Sequence, residues 1–167
     1  MRAYLTALMA AIALAVPAHA DDDAAIDAVI DDLYAVISGG VGEARDWDRF
    51  RSLYLPGATM SVASPGEAGT GSARIITPEE YIESNGPVLS EIGFTESETG
   101  RAVYRYGGMA TVLTAYEATR ADRDELFLTG VNTIVLMRVE GEWKIASIAW
   151  RNGPPIPVED AFINRAE

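Results

Sequence analysis

The longest β-patterned stretch of the chain runs from Leu126 to Asn152. Two apolar runs rich in β-branched residues flank the short polar break Glu140-Gly141-Glu142. Strand propensity on both sides of a tight Gly-containing connection predicts one long β-hairpin. Val131 to Val139 is apolar on both faces, so something is expected to cover each side of it. Upstream, Phe94 to Tyr106 and Met109 to Arg120 read as two further strands joined by a tight Gly107-Gly108 turn, with Gly100 a candidate bulge. Ala121 to Glu125 reads as a charged hairpin loop.

The period changes nearer the N-terminus. Ile26, Val29, Ile30, Leu33 and Ile37 recur at helical spacing, with Asp23 as the expected N-cap and Gly39-Gly40 as the stop. Asp46 caps a second, brief helix with Trp47, Phe50 and Tyr54 on one stripe, ended by Pro56-Gly57. Ala58 to Ala63 reads as a short strand, followed by a Gly/Pro/Ser-rich loop from Ser64 to Ala73. Thr77-Pro78-Glu79-Glu80 is a capping-box start for a third helix, which Asn85-Gly86-Pro87 is expected to kink or split. Helices followed by a run of long antiparallel strands is an α+β order in a single domain.

The first twenty residues break this picture. Arg2, the apolar core Leu5 to Val16 and the small-x-small site Ala18-His19-Ala20 form a signal-peptide pattern, too short to span a bilayer of ~30 Å. Residues 1–20 are expected to be removed, leaving residues 21–167 as one domain with a Pro-rich C-terminal tail in the periplasm or outside the cell. The full chain carries a formal net charge of −12, and loss of Arg2 makes it one unit more acidic. That balance argues against nucleic acid and against anionic membrane after cleavage, both of which need a basic face.

The sequence has no cysteine, and its single histidine is His19, within the expected signal. Ser-His-Asp and Cys-His nucleophilic sites, histidine-based zinc sites and haem ligation in their usual forms are thereby excluded from the mature chain. No clustered carboxylates occur at calcium-loop spacing, so neither metal nor cofactor is expected. Acid–base chemistry would rest on Asp, Glu, Tyr, Lys or Arg.

Several stretches together resemble the nuclear transport factor 2-like, or SnoaL-like, superfamily, in particular its secreted bacterial members. They are Asp46-Trp47-Asp48, Leu53-Tyr54-Leu55-Pro56-Gly57-Ala58, Phe94-Thr95-Glu96, Tyr116-Glu117, Gly130-Val131-Asn132-Thr133 and Gly141 to Trp150. The resemblance covers residues 24 to 157. It implies a cone-shaped, curved antiparallel sheet with three N-terminal helical segments on its concave face and a conical pocket between them. It also implies a convex face that commonly dimerises, so a homodimer through the sheet is expected. The superfamily hosts isomerases, dehydratases, cyclases, hydrolases and binding modules alike, so the fold does not select the activity.

Within such a pocket the candidate general base is Asp48, raised in pKa if apolar walls surround it. An acid in the first turn of a helix is the alternative reading of the same residue. Candidate lining residues are Trp47, Tyr54, Tyr81, Tyr116, Asn132 and Trp150. Asn132 is a polar amide inside a central strand and must find a partner in protein or ligand. Glu96, Glu98 and Glu117 are expected to be solvated or paired with Arg101, Arg105 or Arg120. Arg151 is open to either an anionic ligand or a surface acid. The leading expectation is a domain that holds a small, partly apolar molecule. An isomerase or dehydratase with a carboxylate base and a Tyr proton donor, and a dimeric interaction module without ligand, are the alternatives.

Overall fold

The computed structural model describes residues 18–64, 66, 70–123 and 125–153. The signal-peptide pattern before Ala18, much of the loop after Ser64 and the Pro-rich tail after Gly153 lie outside them. In chain order come helix α1 (Ala18–Ile37), helix α2 (Trp47–Ser52), strand β1 (Tyr54–Ser64), strand β2 (Ser72–Ile76) and helix α3 (Pro78–Ile92). Strands β3 (Phe94–Tyr106), β4 (Met109–Arg120), β5 (Glu125–Val139) and β6 (Glu142–Gly153) follow.

The six strands form one curved, open sheet in the order β2-β1-β6-β5-β4-β3. The expected long hairpin, β5–β6, is its centre. A two-residue turn at Glu140 (φ 53°) and Gly141 (φ 89°) joins its arms, the pair of positive φ values that the twist of a tight hairpin favours. The sheet is not wholly antiparallel as expected. β1 runs parallel to β6, with Tyr54 opposite Ile145 and Val62 opposite Trp150. The strand read as Ala58 to Ala63 begins four residues earlier, because α2 stops at Ser52 and Tyr54 already pairs. Pro56-Gly57 therefore lies within β1, where its register shifts, and ends no helix. β2 was not anticipated; Ser72 to Ile76 pairs along the edge of β1, where little apolar surface marks it.

Alternation sorts the sheet into two faces. Val112, Thr114 and Tyr116 of β4, Asn132, Ile134 and Leu136 of β5 and Ile145 and Ile148 of β6 are buried under the helices. With Ile26, Ile30, Leu33 and Phe50, which are 0–4% exposed, they make the core. α1 starts at Ala18, upstream of the expected cap at Asp23, and the Asp22 side chain is only 14% exposed. It accepts from Arg105 (2.8 Å), Arg138 (2.9 Å) and Trp143 Nε1 (3.2 Å), which fixes the first turns against β3, β5 and β6. α3 has the expected capping box on Thr77 and Glu80. It continues through Pro87 to Ile92 and is not split.

Arg45, which the sequence reading passed over, ties these layers together. It is 8% exposed and has no acidic partner among the described residues. Its guanidinium donates instead to the carbonyls of Ile37 (3.0 Å), Gly39 (2.9 Å), Glu43 (2.7 Å), Leu89 (3.0 Å) and Phe94 (3.3 Å). The carbonyls of Ile37, Gly39 and Leu89 lie at the C-terminal ends of α1 and α3, where a cation is favoured, that of Glu43 in the loop before α2 and that of Phe94 at the start of β3.

Candidate functional site

The helices and the inner sheet face leave a partly open cavity of about 50 Å3, smaller than a drug-sized ligand pocket. Its apolar walls are Leu33 and Ile37 of α1, Phe50 of α2, Met60 of β1 and Ile148 of β6. The polar groups are Tyr54, Tyr81, Glu96, Tyr116 and Asn132, with Trp150 beside them.

Glu96 was expected at the surface or in an ion pair, and it is neither. It lies on the inward face of β3, opposite Ala118, and its carboxyl has no hydrogen-bond or ion-pair partner among the described residues. Burial among apolar walls pushes its pKa up to about 8. Neighbouring arginines are already committed: Arg101 is paired with Glu98, Asp27 and Asp31, each at 2.6 Å. The backbone of Glu96 is held more firmly than its side chain. Its N–H donates to Ser38 Oγ (2.9 Å) at the end of α1, and the same hydroxyl donates to the carbonyls of Tyr34 and Glu96. Gly39 N–H and Arg45 both hold the carbonyl of Phe94, two residues earlier. Two helix ends thus set where the carboxyl enters the cavity.

The tyrosines differ in what their hydroxyls do. Tyr54 Oη is buried and has no hydrogen-bond partner among the described residues, and burial holds its phenol well above the usual pKa. Tyr81 also has no hydroxyl partner among the described residues; its ring stacks on Phe50 at 5.5 Å and meets Trp150 edge-on at 6.3 Å. Tyr116 instead donates to Asn152 Oδ1 (2.7 Å), passing over Gly130, where a Cβ would come within 2.5 Å of the hydroxyl. Only glycine leaves room for that ring. Tyr116 thus contributes a wall, with its proton already used.

Asn132 sits between Thr114 and Trp150 on adjacent strands and is 5% exposed. Its Nδ2 donates to Tyr34 Oη (3.0 Å) and Thr114 Oγ1 (3.2 Å), and those two hydroxyls share a 2.6 Å hydrogen bond. Both amide protons are thereby taken, and Oδ1 has no partner among the described residues.

Of the candidates named from sequence, Tyr54, Tyr81, Tyr116, Asn132 and Trp150 line the cavity together. Two do not. Trp47 packs edge-on to Phe50 at 5.6 Å and lies over Gly86 of α3, one layer behind the cavity wall. Asp48 is corrected outright as the buried base, because its side chain is 96% exposed and pairs with Arg51 at 2.8 Å. At that position in α2 the side chain points to solvent, and the first-turn reading accounts for it. Arg151, one residue past Trp150, lies on the opposite face of β6 and is exposed. The strand carboxylate at position 96 was visible in the β-period of Phe94, Glu96 and Glu98. Its isolation depends on which acids the arginines take, and that is a tertiary outcome.

No protein-family model matches the sequence, and neither does any curated protein. Solved structures do share the fold. A candidate dehydratase of the nuclear transport factor 2-like family from Streptomyces avermitilis superposes with a TM-score of 0.62 at 17% identity, covering 82% of this chain and 99% of that one. A candidate scytalone dehydratase from Novosphingobium aromaticivorans gives 0.60 at 15% identity, over 89% and 92%. A nuclear transport factor 2-like superfamily protein from Salmonella enterica gives 0.60 at 17%, over 87% and 100%. At these identities the likeness is one of fold. The chain has the nuclear transport factor 2-like architecture: a curved open sheet, helices in its concavity and a pocket between them.

Proposed function

We propose that this protein binds one small, partly apolar molecule in the cone and grips it through Glu96. The observation that carries the reading is the half-buried Glu96 carboxyl, without a partner among the described residues, in the same cavity as the Tyr54 hydroxyl, which also has none there. Leaving the buried Tyr54 hydroxyl unsatisfied costs roughly 1–3 kcal/mol, and a ligand that satisfies it recovers that cost on binding. The test is native mass spectrometry of the mature protein purified from its source, followed by denaturation to identify what is released. A molecule retained by the wild type and lost in Glu96→Gln supports the reading. A molecule retained equally by both variants removes Glu96 from it.

A second reading is proton transfer of the isomerase or dehydratase type, with Glu96 as base and Tyr54 or Tyr81 as donor. An acid–base group works best when its pKa lies near the working pH, and about 8 meets that condition. Two fold neighbours described as candidate dehydratases are compatible with it. Deuterium uptake into small enolisable ketones in heavy water is the direct assay. Uptake catalysed by the wild type and absent in Glu96→Gln favours the enzyme, and uptake at the rate of buffer alone sinks it.

Export and self-association are part of the same proposal. Cleavage after Ala20 would leave Asp22, with its three anchoring partners, in the mature chain; N-terminal sequencing of the periplasmic protein checks it. The outer sheet face carries Tyr104, Met109 and Met137, which are 64%, 47% and 41% exposed, and a second copy of the chain would cover them. Light scattering behind size exclusion at micromolar concentration distinguishes dimer from monomer.

A further inference from the structure

We infer that the molecule held in the cone is a small organic ammonium compound, its cationic nitrogen seated against Glu96 and its apolar part among the aromatic rings. This rests on the binding reading above and adds the charge of the ligand. The first argument is the sign of the lining. The groups free to meet a ligand are the Glu96 carboxyl, the Tyr54 and Tyr81 hydroxyls and Asn132 Oδ1; each accepts hydrogen bonds, the two phenols can also donate, and only the carboxyl can take up a charge near neutral pH. Asn132 has both amide protons committed elsewhere, and no Lys or Arg lines the cavity. The Trp150 indole is the one nitrogen among the lining side chains not already bonded. An N–H-rich cation complements the carboxylate that Glu96 becomes on giving up its proton, whereas an anion finds no charged partner in the lining.

The second argument is the ring content. Phe50, Tyr54, Tyr81, Tyr116 and Trp150 supply π-systems, whose faces attract cations most where water is excluded. The chain's net charge of −12 also raises the local concentration of cations at its surface.

Binding of this kind moves a proton. In the empty cavity the carboxyl is mostly protonated at pH 7, since burial pushes its pKa up to about 8. An incoming ammonium ion stabilises the carboxylate, and the carboxyl proton leaves to solvent. The other titratable groups near Glu96 are Tyr34 from α1, Tyr81 from α3 and Tyr116 from β4, with Tyr54 of β1 in the same lining, all with phenol pKa values raised by burial, and Glu98 on its own strand, paired with Arg101. The four phenols take up no charge between pH 6 and 8.

The experiment uses three probes of matched shape: benzylammonium, benzyl alcohol and benzoate. Calorimetric titration of the wild-type mature protein is expected to show benzylammonium binding at least tenfold more tightly than benzyl alcohol at pH 8. Its affinity should rise at least tenfold from pH 6 to pH 8. Titrations in buffers of different ionisation enthalpy should show most of one proton released at pH 7. Glu96→Gln, checked for folding by circular dichroism, should erase the preference for the cation, and Tyr54→Phe should reduce it. Benzyl alcohol or benzoate binding as tightly as benzylammonium overturns the cation and leaves the pocket reading standing. Failure of all three probes at millimolar concentration overturns both.

Discussion

Arg45 and Glu96 are two ionisable side chains tied to the same stretch of β3, and the protein treats them oppositely. Arg45 meets five carbonyls, at the ends of α1 and α3, in the loop before α2 and at the start of β3. Glu96, two residues along β3 from the carbonyl that Arg45 holds, has no partner for its carboxyl among the described residues and is held towards its neutral form. A buried charge with a full set of partners holds elements in register, whereas a carboxyl without partners keeps its proton. The first positions the second, because the Phe94 carbonyl and the Ser38 contact to the Glu96 backbone belong to one knot.

The sharpest way to break this contrast is at Arg45. Arg45→Met takes a donor from five carbonyls, of which those of Phe94, Leu89 and Glu43 keep another, and should cost about 3 kcal/mol, measured by urea denaturation. A loss of that size would lower the melting temperature by roughly 10 °C. A loss below about 1 kcal/mol would mean that water replaces the guanidinium.

Glu96→Gln should act in the other direction. A carboxyl whose pKa is raised on folding holds its proton in the native state after the unfolded chain has released it. Its contribution to stability is therefore complete below the ordinary carboxylate range and is lost as pH rises towards about 8. Relative to wild type, Glu96→Gln should grow more stable across that window by up to about 1.4 kcal/mol per pH unit. Parallel stability–pH curves for the two proteins would show that the carboxyl ionises freely in the native state.

A smaller gain is expected from Tyr54→Phe, which deletes a buried hydroxyl that bonds nothing and should stabilise the empty fold by up to about 1 kcal/mol in thermal denaturation. A clear destabilisation would reveal a partner for that oxygen. The smallest effect belongs to Asp48→Asn. With its side chain in solvent, the change should leave melting temperature, probe binding and any turnover as in wild type.

These positions also mark how far residue patterns carried. The hairpin of β5 and β6, the capping box of α3 and the helical stripe of α1 depend on local chemistry, and local chemistry is written in order along the chain. Tyr54, Tyr81, Tyr116, Asn132 and Trp150 were legible as cavity residues because each places a polar or aromatic group on an apolar face. Asp48 and Glu96 exchanged places for a non-local reason. Which acids stay unpaired is settled by arginines that arrive from other elements: Arg51 takes Asp48, and Arg101 takes Glu98, Asp27 and Asp31 but not Glu96. The parallel seam between β1 and β6 was illegible for a similar reason, since nothing near Tyr54 names Ile145 as its neighbour.

That seam governs when the cavity comes into being. Tyr54 and Met60 form one side of it, and their neighbours across the seam include Ile145 and Ile148, some ninety positions later in synthesis. Pairings of such long range close late and slow the folding reaction. Until β6 is present, β1 has only the short edge strand β2 to pair with, and its other edge stays open. A nascent chain therefore has no cavity part-way through synthesis. The cavity is complete only after the last strand has docked, so an intact cavity reports completed folding.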